Sequence, residues 1–203
     1  ENINKTFTVE SDWSSASYFY SIVALSPIGT QIDLSAYKPN SLQGDAVLKN
    51  IYKELGVESS FNETTLSLKK LAEPQSKQLT LDLANAPDIA QTIAVTCLGL
   101  EIGCNLTGLH TLKIKETDRL VALQNEIKKL GTSIEITDNS LHLKSPNKLN
   151  SSIHIATYND HRMAMAFAPL GLKTQLFIDD AEVVSKSYPD FWSDLSALGF
   201  ELN

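Results

Sequence analysis

Three stretches of the chain are apolar or small around nearly the whole helical wheel. They are Asp12-Trp-Ser-Ser-Ala-Ser-Tyr-Phe, Asp88-Ile-Ala-Gln-Thr-Ile-Ala-Val and Asp160-His-Arg-Met-Ala-Met-Ala-Phe. A helix apolar on all sides belongs in an interior, and the Ala, Ser and Thr content predicts close packing. A short run of alternating β-prone residues precedes each helix, at 6–10, 78–83 and 152–157. A second strand follows each, at Gln31–Leu34, 104–106 and 175–178. Amphipathic runs then open at Asp45, Asp118 and Asp190 and close at Gly56, Gly131 and Gly199. The middle one is the clearest helix. Leu120, Leu123, Ile127 and Leu130 fall at helical spacing, Lys128 and Lys129 occupy the last turn, and Gly131 takes the C′ position. Thr117 or Asp118 is placed to cap its start. Hairpins are expected at 57–61 with 65–69 and at 133–137 with 140–144, the latter turning at Asp138-Asn139.

These landmarks recur. The first set of aspartates is separated by 76 and 72 residues, the second by 73 and 72, and the glycines by 75 and 68. Three sets in one order at nearly one period predict an internal triplication, with units at about residues 5–75, 76–147 and 148–203 of one domain spanning 1–203. No hairpin follows Gly199. If the units close into a three-fold arrangement, the missing strands are expected from chain upstream of Glu1. The first residues have no initiator Met, so the chain is expected to be part of a longer protein.

Composition narrows the function classes. The 203 residues are 42% hydrophobic and 20% charged, which is globular. A net charge of −7 argues against nucleic acid or an anionic membrane as partner, but a small anion can still find a locally basic pocket. No run approaches the roughly 18 apolar residues of a membrane span, and no signal-peptide core is present. Cys97 and Cys104 fit no metal spacing and are expected as free thiols in a reducing, cytoplasmic setting.

The candidate chemistry centres on Lys115-Glu-Thr-Asp-Arg119. Arg119 and Arg162 are the two arginines of the chain, and the guanidinium fork suits carboxylate and phosphate. Pseudo-symmetry would aim three helix N-termini at one region, favouring an anion there. It would also bring Arg119, Arg162, Lys115 and Lys186 beside the carboxylates of Asp88 and Glu116, an arrangement suited to acid/base work next to a bound anion. Plainer roles fit the same residues. Asp12, Asp88 and Asp160 are each suitable helix caps, Lys115 to Arg119 suits a solvated helix start, Lys186 suits a surface, and His161 suits a structural place. No ligand spacing supports a metal. His110, His142 and His154 are incidental, and Trp13, Tyr18, Phe19 and Tyr20 are expected in the core.

Five segments together resemble the 5-enolpyruvylshikimate-3-phosphate synthase family, in the family's order and over essentially the whole chain. They are Val9-Glu-Ser-Asp-Trp-Ser-Ser-Ala-Ser-Tyr18, Asn40-Ser-Leu-Gln-Gly-Asp45, Ala86-Pro-Asp-Ile-Ala90, Lys115-Glu-Thr-Asp-Arg119 and Tyr158-Asn-Asp-His-Arg-Met-Ala-Met165. The similarity is to the C-terminal half of the enzyme. It implies an α/β (α+β) inside-out enolpyruvyl transferase domain of three pseudo-symmetric βαβαββ-type units, with buried helices and outer four-stranded sheets. It implies transfer of the enolpyruvyl group from phosphoenolpyruvate to the 5-hydroxyl of shikimate 3-phosphate, in aromatic amino acid biosynthesis, with no cofactor. By position, Asp88 resembles the acid/base residue at the 5-hydroxyl and Glu116 the second proton-transfer carboxylate. Lys115 resembles a shikimate ligand. Arg119, Arg162 and Lys186 resemble phosphoenolpyruvate ligands, with His161 beside them; Asp88 also contacts substrate and Lys186 also serves catalysis. Thr111 stands where the family commonly has an Asn for the shikimate phosphate. The remaining ligands belong to the N-terminal half, so the chain alone is expected to be inactive. The competing readings are a UDP-sugar enolpyruvyl transferase, a non-catalytic anion-binding domain on the same scaffold and, more distantly, RNA-end chemistry.

Overall fold

The computed structural model describes residues 9–202. The strand expected at 6–10 lies outside the described residues except for Val9 and Glu10, which are not in a strand.

Three inner helices hold the core: α1 (Trp13–Leu25), α3 (Ala90–Gly99) and α5 (His161–Phe167). Every residue of α1 except Ser15 is buried, and all ten of α3 are. Their small polar residues pair with one another instead of facing water. Ser17 Oγ donates to Thr92 Oγ1 at 3.0 Å, and Thr96 Oγ1 donates to Ser21 Oγ at 2.8 Å. Both bonds join positions 75 residues apart, so α1 and α3 meet through corresponding faces. Short hydroxyl side chains satisfy each other there while the backbones approach closely. Gly99 belongs to the same packing, because a Cβ there would lie 2.7 Å from a Leu25 methyl.

Three outer helices are shorter or more amphipathic: α2 (Leu48–Glu54), α4 (Arg119–Lys129) and α6 (Phe191–Ala197). In α4 the predicted stripe of Leu120, Leu123 and Ile127 is buried, as is Leu130 just beyond. Gly131 has φ +88°, as its C′ place requires. Asp118, not Thr117, caps the helix, accepting from the backbone N–H of Leu120 and of Val121 at 3.2 Å each; such caps contribute about 1 kcal/mol. Asp45 and Asp190 do not cap. Asp45 sits in a 3-10 turn (Gly44–Val47) ahead of α2 and accepts from Ser14 Oγ.

The sheets lie outside the helices and follow one plan to different extents. The middle sheet is complete, in the order β4 (Gln78–Asp82), β5 (Gly103–Thr107), β7 (Leu141–Leu143), β6 (Ile134–Ile136). Strands β4 and β5 are parallel, joined through α3, and the hairpin β6–β7 adds antiparallel to β5. The first sheet has the order β1 (Gln31–Leu34), β3 (Thr65–Lys70), β2 (Val57–Asn62), which corresponds to β5-β7-β6. The third has the parallel pair β8 (Ile153–Ile155) and β9 (Leu176–Ile178), which corresponds to β4-β5. Among the described residues the three sheets have three, four and two strands: the third unit lacks its hairpin, as expected, and the first unit's opening strand, expected at 6–10, falls largely outside the described residues. Lys70 shows how the first sheet closes on its helix: its inward-facing ammonium is fully buried and donates to the Leu55 carbonyl at the end of α2, at 3.1 Å.

The four aromatic residues expected in the core are there, with Trp13 and Tyr20 fully buried. Cys97 and Cys104 are buried and free. Among the described residues no helix is long and apolar enough to cross a membrane.

Candidate functional site

The starts of α3, α4 and α5 bring the charged candidates together. Arg119 is the first residue of α4, Arg162 the second of α5, and Asp88 lies in the 3-10 turn Pro87–Ile89 that leads into α3.

Arg119 is 1% exposed, and its guanidinium binds three carboxylates. Nε donates to Asp160 Oδ2 at 2.6 Å and Nη2 reaches Asp160 Oδ1 at 3.4 Å. Nη2 also donates to Glu116 Oε2 at 2.6 Å, and Nη1 to Asp88 Oδ1 at 3.1 Å. Asp160 is fully buried, and its Oδ1 also accepts from the Arg162 backbone N–H at 2.9 Å. It thus caps α5 and fixes Arg119 at once. Glu116 lies three residues before Arg119, in the bend ahead of α4.

Asp88 is the meeting point of the cations. Besides Arg119 it takes Lys115 Nζ at 3.2 Å and Arg162 Nη2 at 3.4 Å, and its backbone carbonyl accepts from Arg162 Nη1 at 3.3 Å. Its side chain remains 28% exposed. The helix-cap role open to all three leading aspartates is taken by Asp12 and Asp160, while Asp88 caps nothing. Pro87 ahead of Asp88 and the 3-10 geometry displace its carboxylate from the α3 terminus toward the cations.

The charges shift one another. Burial pushes the Asp88 carboxyl up, but Arg162, Lys115 and Arg119 together outweigh it and hold it below the ordinary range. Burial likewise opposes ionisation of Glu116, and a hydrogen bond from its own backbone with the positive field of Arg119, His161 and Arg162 brings it below ordinary. Burial lowers His161 more than Asp160 raises it. Next to this group, Tyr18 faces Arg162 from α1, its phenol pushed up to about 12 by burial.

A pH dependence of stability follows. A depressed imidazole means the unfolded chain takes the proton first, so stability falls as pH drops through roughly 6.5. Depressed carboxyls keep their contribution down to about pH 4 and lose it below, as Asp88 and Glu116 are protonated. Urea midpoints measured from pH 8 to 3 are expected to show both declines. His161→Gln should remove part of the upper one and leave the lower; an unchanged profile would contradict the assignment.

Not every candidate joins the cluster directly. Lys186 is exposed, at the end of the 3-10 turn Ala181–Lys186, and its Nζ donates to the Asn159 carbonyl at 3.2 Å, beside Asp160. Thr111 lies in the 3-10 turn His110–Ile114, with its hydroxyl buried and without a hydrogen-bond partner. Glu116, Asp160 and His161 place donor atoms within 4.8 Å of one another, but the Arg119 guanidinium already bridges both carboxylates, so a metal there would have to displace it. Sequence reading missed Asp160 as the partner of Arg119 and Tyr18 beside Arg162. The Asp160–Arg119 pair spans 41 residues, and its one available signal was the 72-residue step that makes Asp160 the counterpart of Asp88.

The arrangement is a balanced cluster of Asp88, Glu116 and Asp160 against Arg119, Arg162 and Lys115, with acid/base groups at its exposed edge. The family model for EPSP synthase (3-phosphoshikimate 1-carboxyvinyltransferase) matches residues 1–195. A 3-phosphoshikimate 1-carboxyvinyltransferase of Bacteroides fragilis is 45% identical over 197 residues, covering 96% of this chain and 48% of the relative. Its counterpart in Escherichia coli is 32% identical over 194 residues, covering 95% and 44%. The chain thus spans about half the length of the curated relatives it matches. The solved EPSP synthase of Acinetobacter baumannii superposes with a TM-score of 0.76 at 24% identity, over 93% of this chain and 46% of that one. An enolpyruvyl transferase of Streptomyces tendae superposes at 0.66 and 13% identity, over 96% and 44%. With its whole length but the last eight residues matched, the chain belongs to the EPSP synthase family.

Proposed function

We propose that this chain is a single domain of three units, at about 5–75, 76–147 and 148–203, and that it supplies one side of an active site transferring the enolpyruvyl group of phosphoenolpyruvate to the 5-hydroxyl of shikimate 3-phosphate. The observation that carries the reading is Asp88, a partly exposed carboxylate held by Lys115, Arg119 and Arg162 together, with Glu116 on the same guanidinium.

The chemistry needs two proton transfers beside a dianionic leaving group. A proton adds to the methylene carbon of phosphoenolpyruvate while the 5-hydroxyl oxygen bonds to its central carbon and loses its own proton. The tetrahedral adduct then loses phosphate, and the methyl carbon returns a proton. Asp88, kept ionised by three cations, accepts from the 5-hydroxyl. Glu116 carries the proton to and from carbon, with His161 and Lys186 beside it. Lys115 holds the shikimate hydroxyls, and Thr111 lies toward its phosphate. Arg162 and Lys186 are the less engaged cations and take the carboxylate and phosphate of phosphoenolpyruvate. Arg119, buried against three carboxylates, contributes through the edge it shares with Asp88 and Glu116. No metal or organic cofactor enters. The setting is cytoplasmic, which the buried free thiols of Cys97 and Cys104 support.

The relatives are about twice as long, so the other side of the site belongs to the half this chain does not match. Phosphate release from phosphoenolpyruvate is therefore expected only when this chain is joined to that half and shikimate 3-phosphate is present. The 203 residues alone should show none. Turnover by the chain alone, or release independent of shikimate 3-phosphate in the joined protein, would sink the proposal.

A further inference from the structure

The turn that enters α5 carries two consecutive non-glycine residues in the left-handed region, Tyr158 and Asn159, each with φ +55°. Asn tolerates this conformation and Tyr does not. Such residues persist only where their surroundings over-determine them. Here the turn is gripped along its length by one helix. Glu126 on α4 is fully buried. Its Oε1 accepts the Tyr158 hydroxyl at 2.7 Å, and its Oε2 accepts the Ala156 backbone N–H at 3.1 Å and Lys129 Nζ at 2.6 Å. Seven residues earlier on α4, two turns along the same face, Arg119 grips Asp160. Between these anchors the Asn159 carbonyl holds Lys186, and just beyond them stand His161 and Arg162.

We infer that Glu126 and Tyr158 are positioning residues for the site: their part-buried hydrogen bond holds the left-handed turn that sets Asp160, Arg162 and the carbonyl on which Lys186 rests. Neither side chain is engaged with Asp88, Glu116 or the arginines. Their influence runs through the backbone of 156–160. A buried Glu on the inner face of a helix needs its full set of donors, and every donor it has except Lys129 lies on this turn. The inference rests on the function proposed above for its kinetic consequence, not for its geometry.

The test compares Tyr158→Phe, which deletes one hydroxyl, with Tyr20→Phe, which deletes one bonded outside the cluster, to Ser59 Oγ of β2 at 2.6 Å. Glu126→Gln, which keeps an acceptor, serves as the second variant. In a protein of the relatives' full length that contains this chain, Tyr158→Phe and Glu126→Gln should raise KM for phosphoenolpyruvate about tenfold or more, with a smaller change in kcat, because small misplacements of binding groups carry large penalties. Tyr20→Phe should leave both unchanged. NMR titration of His161 gives a reading that needs no substrate: its midpoint should move upward in Tyr158→Phe as the turn loosens and water reaches the ring, and stay in place in Tyr20→Phe. Unchanged KM and unchanged His161 titration in Tyr158→Phe, or equal effects in Tyr20→Phe, would overturn the inference. An unsubstituted protein without turnover on these substrates would instead overturn the function, and the His161 titration would still decide the positioning role.

Discussion

Replacing Arg119 with Met is expected to destabilise the chain by about 3–5 kcal/mol, the usual cost of removing one partner of a buried ion pair. The guanidinium is almost wholly buried, and Asp160, its bidentate partner, is fully so. Without Arg119 that carboxylate keeps one hydrogen bond, from the Arg162 backbone N–H, with the His161 ring 4.0 Å away. Its charge would have to remain in the interior uncompensated or be neutralised by a proton. Against a typical domain stability of about 5–15 kcal/mol, such a loss is a large part of the whole. Asp160→Asn should cost less, about 1–3 kcal/mol, because Arg119 retains Asp88 and Glu116 and the Asn oxygen can still cap α5. Lys in place of Arg119 cannot serve three carboxylates from one point charge and should fall between the two. Urea unfolding of the 203-residue chain measures all three. A loss below about 1 kcal/mol for Arg119→Met would mean that the network is incidental to the fold.

Asp88→Asn is expected to do the reverse, with turnover falling by about 10²- to 10⁴-fold, the usual share of a positioned acid or base, and little change in stability. Asp88 caps no helix, and its partly exposed side chain makes its bonds to three cations at the edge of the cluster. An Asn oxygen can still accept from them but cannot take a proton from a hydroxyl at neutral pH. The decisive feature is the contrast between two aspartates 72 residues apart. Asp160 faces inward and is fully buried, whereas Asp88 stays partly exposed among the cations. The assay is phosphate release by a protein of the relatives' full length carrying the substitution. Turnover within a factor of two of the parent would remove Asp88 from the mechanism.

Much of this was legible from local pattern. The all-round apolar runs named the three inner helices because a helix with no polar face can only be interior. The stripe from Leu120 to Leu130 gave α4 nearly residue by residue. The hairpins were readable because alternation and turn residues are local signals, and their ends shifted by only a residue or two. The helix starts were less legible. Asp88 looks like a cap in sequence and Asp45 opens an amphipathic run, but capping is settled by where the chain has come from. Asp45 met Ser14 instead, and Asp88 met the cations. The site itself was half visible. Two arginines in a lysine-rich chain signalled an oxyanion, and both came to one place. That Arg119 would be buried under three carboxylates was not visible, because Asp160 reaches it only once α4 and α5 are packed side by side. The left-handed turn at Tyr158 and Asn159 was equally silent, since neither residue announces positive φ as glycine does.

This domain's cluster is proposed to handle phosphoenolpyruvate for transfer to a shikimate phosphate. The most direct test offers a protein of the relatives' full length, containing this chain, shikimate 3-phosphate and a UDP-amino sugar in competition, with phosphoenolpyruvate as donor, and identifies the product. Enolpyruvyl transfer to shikimate 3-phosphate alone, abolished by Glu116→Gln, is the result predicted here. Transfer to the UDP-sugar would contradict the assignment of substrate, and transfer undiminished by Glu116→Gln would contradict the assignment of the site.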